Sequence, residues 1–142
     1  MNWKDIINET GIEIIWAEND YSQEGSFVPP CSAFPNGAIA IRINVPEERV
    51  EFVALHEIGH IVTGKMLNSV NERLKSITHL KNEADANRFL LRNKASDFLE
   101  ANDFNGSWAT AERFCNYLGL SNTFENIWIA EQEINYALYN IQ

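Results

Sequence analysis

The sequence predicts an α+β fold: a small N-terminal β-sheet packed against one strong central helix, followed by a helical C-terminal part. Three observations predict it. β-Branched runs bounded by turn residues occur only before residue 45, helical periodicity dominates from Pro46 onward, and 45% apolar residues, with four Trp, four Tyr and eight Phe, can fill a core. The 142 residues give room for a single domain, divided here into 1–45 (mostly strands and loops), 46–94 (the helices with the chemistry) and 95–142 (helical).

Residues Trp3 to Glu9 read as a short helix closed by Gly11. Ile12 to Ala17 is a β-branched and aromatic run of strand type. From Glu18 to Gly37 the residues are those of a long loop, with room for one short strand, and Asn36-Gly37 ends it with a turn signal. Ala38 to Asn44 then alternates, which predicts a strand whose buried face carries Ile39, Ile41 and Ile43. Pro46, Glu47 and Glu48 mark a helix start running to about Lys65, with Gly64 near its end. A second helical pattern covers about Thr78 to Lys94. Ser96 and Ser107 are expected N-caps, Gly119 closes the helix that Ser107 opens, and Thr123 caps a last helix reaching Tyr139.

The charge narrows the function classes. Eleven basic against 20 acidic residues leave a net charge of −9, the wrong sign for direct nucleic-acid binding and better suited to a basic protein partner. Met1 to Glu9 holds no signal-peptide run, and no segment approaches the roughly 20 apolar residues of a membrane span. Cys31 and Cys115 have no neighbouring Cys or His and read as reduced packing residues, so a cytoplasmic location is expected.

The chemistry lies in His56-Glu57-Ile58-Gly59-His60, a His-Glu-x-x-His motif inside the strongest predicted helix. Histidines at i and i+4 share one face, so both imidazoles can reach one tetrahedral metal ion, with Glu57 placed beside them as base for a water at that ion. Average residue usage puts the pattern at a few in about a thousand by chance in a chain this long. Leu55, Ile58, Ile61, Val62 and Met66 form the opposite, core-directed side. A catalytic site needs a third protein ligand. Glu83 shares a helix face with Ala86, Asn87 and Leu90, so it is expected to face inward, where a carboxylate needs a partner. Asp85 points about 160° away and is the weaker candidate.

His56-Glu57-Ile58-Gly59-His60, preceded by Phe52-Val53-Ala54-Leu55 and followed by Glu83-Ala84-Asp85-Ala86-Asn87-Arg88-Phe89, resembles the ImmA/IrrE family of gluzincin-like metallopeptidases. The likeness covers roughly residues 12 to 94 and includes the strand ahead of the motif. It implies a zinc endopeptidase, of a phage or other mobile element, that cleaves a helix-turn-helix transcriptional repressor, with His56, His60 and Glu83 as ligands and Glu57 as the catalytic base. Two His and one Glu also suit Mn²⁺ or another divalent ion. A non-proteolytic, metal-containing antirepressor is the alternative from another class; hydrolysis of a small non-peptide substrate is a third.

Further roles are expected around this centre. His79, one turn before Glu83, is the first candidate to stabilise the transition state, ahead of Tyr117, Tyr136 and Tyr139; Asn87 is a candidate to support a ligand. Gly37, Ala38, Ile39, Ala40 and Ile41 are the expected strand to which an extended substrate adds. The loop from Asp20 to Pro35, with Phe27, Val28 and Phe34, is a candidate cleft wall. The C-terminal aromatics read as packing residues or as a surface for a basic partner.

Overall fold

The strand-first order holds in the computed structural model, which describes residues 2–63, 72–105 and 107–141, with side chains described for 2–63, 82–105 and 107–140. Helix α1 (Trp3–Thr10) leads into strands β1 (Glu13–Ala17), β2 (Gly25–Val28) and β3 (Ala38–Arg42); helices α2 (Glu47–Thr63), α3 (Glu72–Ala101), α4 (Ala111–Leu118) and α5 (Phe124–Ile141) follow. The fold is a mixed α+β one. Its residues form two compact units, Met1–Ala86 and Asn87–Gln142.

In the first unit the strands lie in the order β1-β3-β2, with β1 parallel and β2 antiparallel to β3. Gly37 makes the turn into β3 at φ 86°, a left-handed conformation that a side chain resists, and an added Cβ would also stand 2.9 Å from the Val28 carbonyl oxygen. β3 is the hydrophobic centre: Ala38, Ile39 and Ile41 are fully buried. Ile43 is not on that face. The strand ends at Arg42, and Ile43 sits in the turn that follows, 51% exposed.

The central place of β3 corrects the expectation for substrate binding. Gly37, Ala38, Ile39, Ala40 and Ile41 cannot accept an extended peptide by strand addition, because Ala38 through Ile41 pair with β1 on one side and β2 on the other, and the Gly37 carbonyl accepts from Glu13 N–H. Among the described residues β2, the short strand inside the long loop, is the edge strand of the sheet that packs against α2. A two-armed ion pair holds that edge in place: Arg49 Nε and Nη2 of α2 donate to the Glu24 carboxylate at 3.1 and 2.9 Å. The pair lowers the Glu24 pKa, chiefly through the hydrogen bond from Arg49.

α2 buries Leu55 and Ile58 as its periodicity predicts and Ala54 beside them, whereas Ile61 is half-buried and Val62 is 45% exposed. Gly64, Lys65 and Met66 lie outside the described residues.

In the second unit Phe98 stacks on Phe114 with centroids 4.7 Å apart, and Leu99, Cys115, Leu118, Ile129 and Ala130 are buried with them. Ser96 does not cap a helix. It lies within α3, on an exposed position of a continuous 30-residue helix whose Leu91, Ala95, Phe98 and Leu99 keep the apolar stripe going. Nor does Ser107 cap α4: Thr110 does, its Oγ1 accepting from Arg113 N–H, and Gly119 ends the helix as expected. Thr123 caps α5 as predicted, its Oγ1 accepting from Asn126 N–H at 3.1 Å. Among the described residues no helix is long and apolar enough to cross a membrane.

Candidate metal centre

The i, i+4 spacing brings the two imidazoles of α2 together as geometry requires. His56 Nε2 and His60 Nε2 are 3.2 Å apart, with the rings nearly perpendicular. α3 supplies the third donor: Glu83 Oε1 lies 2.8 Å from His60 Nε2, and Glu83 Oε2 lies 3.4 Å from His56 Nε2. All three residues can offer one ligand atom within a 4.8 Å span. Asp85 is not in this cluster.

These spacings test whether the residues fit a metal ion. Donor atoms held at about 2.0–2.1 Å around one tetrahedral zinc lie about 3.3 Å from each other. The observed 3.2, 2.8 and 3.4 Å bracket that value. With both imidazoles neutral and protonated at Nδ1, three lone-pair donors face one point, an arrangement that a shared cation stabilises. The set of two imidazole nitrogens and one carboxylate also leaves a fourth tetrahedral position for a reacting group. The residues fit.

Electrostatics separate the two acids. Without an ion, with Nε2 of each ring carrying the proton, hydrogen bonds from His56 and His60 hold the Glu83 carboxyl well below the usual carboxylate range, so it is an anion. Glu57 moves the other way. Burial raises its pKa, partly offset by the neighbouring histidines and reinforced by the charge of Glu83. Only 9% of Glu57 is exposed. A buried carboxylate with a raised proton affinity, next in the chain to one of three clustered metal donors, is suited to taking up a proton.

Two features of β2 build the wall of this site, and the residue pattern of the long loop only hinted at them. Phe27 stacks flat on His60, with centroids 4.5 Å apart and planes 10° from parallel, which excludes water from the ring and leaves His60 5% exposed. Phe27 was legible as an apolar member of a cleft wall; its partner was not. Gly25 lets the strand close onto α2, since a Cβ there would stand 2.5 Å from Val53 Cγ1 and 3.2 Å from Glu57 Cγ. Val53 is β-branched and has little freedom to give way. Gly25→Ala is therefore expected to cost about 1–3 kcal/mol in a urea unfolding experiment; an unchanged midpoint would show that the approach is looser.

Other expected site residues fall elsewhere. The His79 side chain lies outside the described residues. Asn87 Nδ2 donates to Asn126 Oδ1 at 3.2 Å, within the helical unit. Tyr117, Tyr136 and Tyr139 are solvent-exposed residues of α4 and α5.

Comparison with known proteins agrees with this geometry. The chain matches the family model of Peptidase M78, described as the IrrE N-terminal-like domain, over residues 9–113. No curated protein and no solved structure matches it. The match covers well over half of the 142 residues and includes both the His-Glu-x-x-His helix and Glu83, and the chain thus belongs to the ImmA/IrrE family of metallopeptidases.

Proposed function

We propose that the chain is a zinc-dependent endopeptidase that cuts a helix-turn-helix transcriptional repressor and thereby lifts repression, with residues 1–142 acting as one metallopeptidase domain. The observation that carries this reading is the convergence of His56 Nε2, His60 Nε2 and the Glu83 carboxylate on one point, with the buried Glu57 next to them. The repressor as substrate rests on the family likeness and on the charge of −9, which suits a basic, DNA-binding protein.

His56, His60 and Glu83 would hold the ion. When bound, a divalent cation such as zinc polarises a carbonyl and makes a water acidic enough to lose a proton near neutral pH. Glu57 would accept that proton and later deliver it to the leaving amine nitrogen, its proton affinity raised by burial. The free edge of β2 offers backbone groups to an extended peptide, and Phe27 shields His60 beneath it. Glu24 and Arg49 anchor the same strand to α2 and so fix its height above the site.

The test is direct cleavage. The purified chain, loaded with zinc, is incubated with a helix-turn-helix repressor encoded beside it, and products are analysed by intact-mass spectrometry. A single new pair of fragments that disappears with 1,10-phenanthroline is expected. An intact repressor whose DNA binding is nevertheless lost would instead favour a non-proteolytic antirepressor.

A further inference from the structure

We infer that the outer face of α5 docks a basic, amphipathic helical segment of a partner protein. This holds independently of the peptidase chemistry. α5 buries Ile129, Ala130, Glu133 and Ala137 on one side and turns four aromatic residues outward on the other. Phe124, Trp128, Tyr136 and Tyr139 fall within an arc of about 120° on that outer side. They are 87%, 50%, 62% and 77% exposed. Single exposed aromatics are common, but a run of four along one helix face marks an interaction surface.

A groove of about 390 Å³ adjoins the stripe between the start of α4 and α5. Ala109, Ile127, Ile134 and Leu138 line it, with Glu112 and Glu131 also on its wall. Ile127, Ile134 and Leu138 are spaced by seven and four residues, so the groove follows the axis of α5 for about 16 Å. That is three turns, the length over which a partner helix places apolar anchors at i, i+4, i+7 and i+11.

Charge selects the occupant. On one border Arg88 lies over the Trp128 ring, and its guanidinium is already engaged by Gln132 and Glu133; Arg92 is held by Glu133 as well. On the groove border Glu112 and Glu131 make no ion pair among the described residues. A partner helix carrying Lys or Arg beside its apolar stripe pairs with these acids, whereas a second copy of this chain brings like charges together.

Isothermal titration of the full chain tests it with a synthetic 18-residue helix of leucine and lysine, the leucines at i, i+3, i+4 and i+7. Micromolar binding is expected. The dissociation constant should rise at least about tenfold in Phe124→Ala/Trp128→Ala and in Glu112→Lys/Glu131→Lys, and stay within about twofold in Glu9→Lys/Glu18→Lys, a charge change on exposed residues of the other unit. If the double aromatic variant loses helical circular dichroism, Tyr139→Ser replaces it, with at least about a threefold rise expected. Equal binding of a peptide of the same composition with its leucines dispersed, or equal loss in the Glu9/Glu18 variant, would reduce the effect to net charge and overturn the inference. Self-association of the parent that Phe124→Ala/Trp128→Ala abolishes, seen by sedimentation, would assign the face to a second copy and overturn it too.

Discussion

Replacing Glu83 with alanine is expected to weaken zinc binding at least about a hundredfold and to remove peptidase activity with it. Loss of a residue that merely supports a metal ligand costs about 10–100-fold in affinity, so loss of one of three ligands should exceed that. Native mass spectrometry of the purified chain should show one zinc per molecule, and Glu83→Ala and His60→Ala should show none at the same metal concentration. The fold should survive the Glu83 change. The Glu83 side chain is 40% exposed, and alanine is the strongest helix former, so α3 loses no buried apolar contact. His60→Ala is the harsher variant, because His60 is buried and Phe27 stacks on it; its metal result needs a matching unfolding curve. Asp85→Ala, one residue pair away but outside the cluster, should keep the full zinc complement. Were Glu83→Ala to retain zinc at the parent affinity, the third ligand would have to be sought elsewhere.

The parts of this site that were legible in the sequence are the local ones. A helix dictates that residues four apart share a face, so His56 and His60 could be paired from spacing alone, and Glu83 stood out because a carboxylate among Ala86, Asn87 and Leu90 faces inward. Strand neighbours are a different matter. Alternation shows that Ile39 and Ile41 are buried, but a central strand and an edge strand can alternate in the same way, and only the pairing of β3 with both β1 and β2 removes it from substrate binding. β2 itself hides in a Gly- and Ser-rich stretch of four strand residues, too short for periodicity to reveal. Its importance comes from what it touches, namely His60 through Phe27 and Glu57 through Gly25, contacts made across 30 or so residues of chain. Helix ends were misread where several polar residues compete: Ser96 continues α3 because the apolar stripe passes through it, and Thr110 caps α4 in place of Ser107 because the turn at residues 107–109 must close first.

Glu57→Gln is expected to leave zinc in place and cut the rate of repressor cleavage by about 10²–10⁴-fold. The substitution keeps the shape of the side chain, its place against Gly25 and the packing of α2, and removes only the ability to take and return a proton. Glu57 is not one of the three clustered donors, so metal content should match the parent. Stability should hold or rise slightly, because burial already disfavours the charged carboxylate and a neutral amide of equal size avoids that cost. Cleavage at the parent rate would rule Glu57 out as the base. A more informative failure is also available: repression relieved in full by Glu57→Gln while the repressor stays intact would mean that binding suffices, and the metal centre would then serve the architecture of α2 and α3. The two variants together separate the possibilities, since Glu83→Ala removes the metal and leaves Glu57 in place, whereas Glu57→Gln removes the proton carrier alone.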